Sequence, residues 1–145
     1  EFLGNINFYR NTGTASQPEL TLEIENYASI DVGTNSVPTW VDIDDDGDQD
    51  LFVGKNSGGI IFYKNTGNNS APAFALETES LSDINGPIDI GSFSIPAFAD
   101  IDNDGDFDLF VGEFDGYANF YENTGTVTIP EFTLKAGKLA SQASA

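Results

Sequence analysis

The chain has no cysteine, no histidine and no methionine, and only five basic residues among 145. Without cysteine there is no disulfide and no thiolate chemistry. With histidine missing as well, most zinc and copper sites and every histidine-based triad are excluded. Also missing are a signal-peptide pattern, an uncharged apolar run long enough to span a bilayer, and any long stretch of helical periodicity. The few bases stand against 24 acids, for a net charge of −19. Nucleic acid and anionic membrane surfaces need cationic protein and are poor partners, so neither nucleic-acid binding nor membrane insertion is expected. Multivalent cations are good partners. The lack of cysteine agrees with an extracellular setting.

What is present is concentrated. Eleven of the 24 acids lie in two short loops, DIDDDGDQD at 42–50 and DIDNDGDFD at 100–108. A disordered acidic tail would carry few aromatics, whereas this chain has twelve Phe and five Tyr, enough for a packed core. The loops belong to a longer repeat. SVPTWVDIDDDGDQDLFVG (36–54) returns 58 positions on as SIPAFADIDNDGDFDLFVG (94–112). GGIIFYKNTG (58–67) returns at the same spacing as GYANFYENTG (116–125), and it occurs 54 positions earlier as GNINFYRNTG (4–13). The chain therefore holds the back half of one unit followed by two whole ones.

Each unit reads as four short strands separated by Gly, Pro, Asn and Asp clusters. They are VPTWVDI or IPAFADI, then DLFVG, then IIFYKN or ANFYEN, then AFALET or EFTLK. The NTG triplets are expected to be turns, because Asn and Gly tolerate positive φ. Asp31 and Asp89, which recur 58 apart ahead of the first strands, are also expected to form turns. The first three strands are apolar on both faces and should lie between layers, while Leu20, Leu22 and Ile24 alternate with Thr21, Glu23 and Glu25 on a half-exposed fourth strand. The expected fold is all-β: four-stranded antiparallel β-propeller blades, about two and a half of them, in a partial or oligomer-completed propeller. The expected divisions are a half blade at 3–26, a blade with the first acidic loop at 37–79 and a blade with the second at 95–135. Glu1-Phe2 and Lys138-Leu139 read as cloning dipeptides and ASQASA as a linker, which sets 138–145 outside the fold.

Acids at alternate positions of a short loop can wrap calcium, which takes roughly 6–8 oxygen ligands in irregular geometry. The expected ligands are the side chains of Asp42, Asp44, Asp46 and Asp50 with the carbonyl of Asp48, and in the second loop Asp100, Asp102, Asp104 and Asp108 with Asp106. Gly47 and Gly105 would supply the sharp turn. A helical calcium hand needs a glutamate at loop position twelve and an exiting helix, but Val53 and Val111 stand there inside strand-like LFVG. The cofactor expected is Ca²⁺, at two sites. Magnesium suits the loops less, since it dehydrates reluctantly.

The text P-x-x-x-D-x-D-x-D-G-D-x-D-L-F-V-G followed by G-x-x-x-F-Y-x-N-T-G resembles the FG-GAP/VCBS repeat family, whose blades also build the head of integrin α-chains. The resemblance covers about residues 4 to 135 and implies a calcium-stabilised propeller of secreted or cell-surface proteins, with the metal in the hairpin between a blade's first two strands. A structural or adhesive role in protein or glycan interaction follows, with further blades of a longer chain or copies of this one as partners. A lectin is the alternative, with Phe93, Phe107, Phe114 and Tyr117 as ring platforms, although packing between blades is the simpler role for them. No catalytic activity is expected, because the clustered carboxylates are committed to metal and no nucleophile or phosphate-binding motif is present. A non-catalytic accessory domain of an extracellular enzyme fits the same text. Asn68-Asn69-Ser70 is a glycosylation sequon in a turn.

Overall fold

Runs such as Asp-Leu-Phe-Val-Gly are too short for a stable helix and are rich in β-formers, with aspartate and glycine marking where pairing starts and stops. A computed structural model, which describes residues 4–139, shows strands at these places. In chain order they are β1 (Phe8–Asn11), β2 (Leu20–Ile24), β3 (Val37–Val41), β4 (Asp50–Gly54), β5 (Ile60–Asn65) and β6 (Phe74–Thr78). There follow β7 (Ser82–Asp83), β8 (Gly86–Pro87), β9 (Ile95–Ala99), β10 (Asp108–Gly112), β11 (Ala118–Asn123) and β12 (Phe132–Leu139). The described residues contain no α-helix, only a 3₁₀ turn at Tyr27–Ser29.

The strands form three sheets. β1 pairs with β2, and β3–β4–β5–β6 make a four-stranded antiparallel meander. β9–β10–β11–β12 make a second meander, extended at its outer edge by the small hairpin β7–β8. This is the expected architecture: two propeller blades and the outer pair of a third. A bulge between Phe and Tyr of the FYxN text recurs in all three units, at Phe8/Tyr9, Phe62/Tyr63 and Phe120/Tyr121. Leu3, the first residue assigned to the half blade, lies outside the described residues, as do 140–145 of the tail. Lys138 and Leu139 continue β12, where the Lys138 amide donates to Asn119 Oδ1 at 3.0 Å.

Burial follows the alternation of β4. Leu51 and Val53 face the first unit and join Ile6 and Ile30, which flank the β1–β2 pair in the chain, in one cluster. Phe52 faces the other way, into a larger cluster with Val41, Ile60, Leu109, Val111 and Phe132. The second strands are buried along most of their length. β2, expected to be half-exposed, is exposed on both faces, because no described residue covers its apolar side at Leu20, Leu22 and Ile24. The first strands differ from expectation. β3 and β9 are half exposed, with Trp40 at 42 % and Ile95 at 50 %. Each is the inner edge of its sheet, paired on one side only, so a continuous apolar text does not bury it.

Successive units meet closely. Ser94 is fully buried, and its hydroxyl donates to the Gly59 carbonyl at 2.6 Å; Ser36 repeats the contact on the Asn5 carbonyl at 3.1 Å. A Cβ on Gly54 would stand 2.0 Å from the Ser94 carbonyl oxygen, and one on Gly58 would stand 2.7 Å from the Gly91 amide. The corresponding glycines of the last unit are open. Gly112 would meet only Ile95 of its own sheet at 3.5 Å and beyond, and Gly116 nothing within 4 Å among the described residues.

The NTG triplets are turns, but for a different reason than positive φ. None of Gly13, Gly67 and Gly125 has a positive φ. A Cβ at these glycines would come within 2.3, 2.3 and 2.2 Å of the carbonyl oxygens of Gln17, Ala71 and Ile129, so glycine is there for close approach. The asparagine closes the turn. Asn65 Oδ1 accepts from the Gly67 and Ala73 amides at 3.0 and 2.9 Å, and Asn11 and Asn123 do the same in their units. Asp31 and Asp89 are turn-formers as read: each accepts from the amide two residues on, at 2.8 and 2.9 Å.

Candidate functional site

Each acidic loop connects the first two strands of a blade, β3 to β4 and β9 to β10. The first aspartate folds the loop back on itself. Asp42 accepts from the Asp46 and Gly47 amides at 3.1 and 3.0 Å, and Asp100 accepts from Gly105 at 3.2 Å. Asp46 and Asp104 each accept from the amide two residues on, both at 3.1 Å. Gly47 and Gly105 take φ of 92° and 99°, a conformation that favours glycine, as expected of the sharp turn. Asp45 and Asn103 also sit at positive φ, 55° and 63°, and both are exposed. Asn and Asp tolerate that region better than other side chains, which explains why one replaces the other there.

This folding brings carboxylates together. One oxygen each from Asp42, Asp44 and Asp46 lies within 4.8 Å of the other two, and Asp100, Asp102 and Asp104 converge in the same way. Beneath them are buried acids. Asp48 and Asp106 are 8 % and 7 % exposed, and the Oδ1 of each is buried without a hydrogen-bond partner. Asp44 Oδ1 and Asp50 Oδ2 are in the same condition. Asp48 was expected to offer its carbonyl, and the structure shows its carboxylate turned inward too. Asp50 and Asp108 secure the loop to the third strand, accepting from the Asn65 and Asn123 amides at 2.7 and 2.8 Å. Asp108 uses its other oxygen on the Ile101 amide at 3.1 Å.

Crowding and burial show in the acidities. Loss of solvent, then the charges of Asp44 and Asp46, hold Asp50 up at about 6 against the bonding of Asn65. Burial followed by its four neighbouring aspartates raises Asp106 to about 6. Asp48 and Asp102 are raised as well, with burial the largest cause and neighbouring aspartates adding to it. A buried carboxylate without a partner carries a large desolvation cost unless a proton or a cation meets it.

The two loops differ in one residue that the spacing did not single out. Lys64 on β5 reaches over the first loop, bonds Asp44 and lies 3.8 Å from Asp46. The bond to Asp44 raises the lysine's own pKa. Glu122 occupies this place in the second unit and pairs with Lys135 instead. Asn69 is the other missed residue: its side chain bonds the Gly47 carbonyl at 2.7 Å and the Gln49 amide at 3.2 Å, bracing the first loop from the following turn. The sequon asparagine beside it, Asn68, is exposed in the turn.

Phe93, Phe107, Phe114 and Tyr117 do not gather into one platform. Phe93 and Phe114 pack at 5.3 Å, Lys138 covers Tyr117, and Phe107 borders a separate cavity with Trp40 and Phe98. Phe114 is 71 % exposed on the last unit, whose outer face no described residue covers.

A sequence model of the FG-GAP-like repeat matches residues 42–111, from the first aspartate of one loop to the second strand of the next blade. No curated protein and no solved structure matches the chain significantly. No helix among the described residues is long and apolar enough to cross a membrane.

Proposed function

Because residues 42–111 belong to the FG-GAP-like repeat family, we propose that this chain is a calcium-stabilised β-propeller repeat module of a secreted or cell-surface protein. Its role is structural or adhesive, and it has no catalytic centre of its own. The observation that carries the reading is the set of buried carboxylate oxygens without partners, Asp44 Oδ1, Asp48 Oδ1, Asp50 Oδ2 and Asp106 Oδ1, lying in or under two convergent aspartate triads. The donors are all oxygen, numerous and irregularly placed, which suits calcium and leaves magnesium's strict octahedron unmet. Asp42, Asp44, Asp46, Asp48 and Asp50 would hold one ion, and Asp100, Asp102, Asp104, Asp106 and Asp108 the other. Calcium supplies positive charge at the point where strand pairing has brought like charges together. The chain's part is to present the oxygens and to anchor the last aspartate of each loop on the NTG asparagine.

The test is thermal unfolding in excess calcium and in chelator. An ion bound only by the folded state at a hundredfold excess over its dissociation constant contributes about 2.7 kcal/mol per site. Two sites should raise Tm by roughly 10–20 °C in a chain of this size. Superimposable melting curves would remove calcium from the account.

A further inference from the structure

The two acidic loops share their text and their folding hydrogen bonds, yet they are not covered alike. In the first triad Asp42 and Asp44 are half-buried and only Asp46 is exposed, whereas Asp100, Asp102 and Asp104 are all exposed. Two side chains account for the difference. Lys64 of β5 lays its ammonium on Asp44 Oδ2 and lies 3.8 Å from Asp46 Oδ2, which puts a positive charge beside the converging carboxylates. Asn69 donates to the Gly47 carbonyl at 2.7 Å and accepts from the Gln49 amide at 3.2 Å, tying the loop to the β5–β6 turn. The corresponding residues of the second unit are Glu122 and Val127. Glu122 pairs with Lys135, and a valine side chain has no hydrogen bond to offer. Among the described residues no lysine or arginine pairs with an aspartate of the second loop.

Three carboxylates within 4.8 Å of one another oppose the closed loop unless a cation meets them. In the first loop that cation belongs to the chain. Lys64 is carried on β5, which is held between β4 and β6, so its charge stays at the loop whatever the concentration of ions outside. The ammonium does not complete the site. It is a compact single charge on one stem, and Asp44 Oδ1, Asp48 Oδ1 and Asp50 Oδ2 remain buried without partners for a divalent ion to take.

We propose, on the calcium reading of both loops, that Lys64 is a resident cation that keeps the first loop closed when calcium is absent, so that the second loop carries most of the structural response to calcium. Loss of calcium then loosens the β9–β10 hairpin first and leaves the β3–β4 hairpin in place. The response is graded along the repeat, with one unit as a fixed joint and the next as the element that calcium sets.

Amide hydrogen exchange reads both loops in the same full-length chain. Gly47 and Gly105 are matched probes, since each sits in Asp-Gly-Asp and each donates its amide to the first aspartate of its loop. In chelator Gly47 is expected to exchange about two- to fivefold more slowly than Gly105, the scale of one ion pair. Excess calcium should slow both, with Gly105 gaining the more. Lys64→Gln should remove most of the difference in chelator, and Lys64→Arg, which keeps the charge, should preserve it. Equal rates in chelator followed by slowing in calcium overturn the proposal alone. So does a difference that survives Lys64→Gln undiminished, because it would then belong to Asn69. Calcium that slows neither glycine defeats the calcium reading and the proposal with it.

Discussion

Lys64 and Glu122 stand at the same place in successive units and set their loops in opposite electrostatic conditions. The lysine ammonium already neutralises part of the first loop through Asp44, while among the described residues no lysine or arginine pairs with Asp102 in the second. A calcium ion entering the first loop has to displace that ammonium or share the carboxylates with it, and like charges at this range oppose each other. The first loop should therefore bind calcium more weakly than the second. Lys64→Glu is expected to tighten the weaker site by up to about fivefold, the scale of one exposed ion pair, and to leave the stronger site alone. Calorimetric titration of both proteins reads the two constants, and an unchanged weaker site would show that Lys64 leaves the loop without cost. The signal was present in the sequence as FYRN, FYKN and FYEN, two cations and then an anion at one repeat position. Spacing ranks acids that recur, and a lysine that does not recur escapes it.

At the level of the strand, burial separates two elements that look alike as text. VPTWV and DLFVG are both apolar, yet β4 is covered along its whole length and β3 is half open. Hydrophobic alternation tells which residues share a face, but not whether a neighbour covers that face. Phe52→Ala should cost about 3–5 kcal/mol, the range for a buried phenylalanine whose cavity cannot collapse. Trp40→Ala should cost only about 1 kcal/mol, because much of its ring already meets solvent. Urea unfolding in calcium compares them, and similar losses would mean that Trp40 is covered in solution. Strand order and both loops were legible because each depends on local period and turn chemistry, whereas the exposure of the apolar face of β2 was not. The hairpin β7–β8 was not, although Asn85-Gly86 marks a turn, since two-residue strands carry no period to read. The NTG glycines were placed correctly and explained wrongly, because glycine serves both positive φ and close approach, and text alone does not say which of the two a turn requires.

For the molecule as a whole, the dominant quantity is the charge of −19, and it makes stability depend on what neutralises it. In the metal-free protein Asp50 and Asp106 titrate near 6, above the ordinary value of an unfolded aspartate. The folded state then holds more protons than the unfolded one, so its stability is full below about pH 4 and falls as the pH rises through about 6. In chelator, Tm should accordingly be lower at pH 7 than at pH 5. In excess calcium the order should reverse, since protons compete with the ion for the same oxygens. A chelated protein with a flat profile between these values would mean that the buried acids are solvated in solution. The glycines at the blade faces have a consequence of another kind. Gly54 and Gly58 receive the serine and glycine of the following unit, and Gly112 and Gly116 present the same two recesses with nothing in them among the described residues. What a unit gives forward is a different surface from what it receives behind, so the contact is directional. Association through it cannot have a two-fold axis. Copies joined in that manner would follow head to tail, either closing into a ring or continuing as a filament.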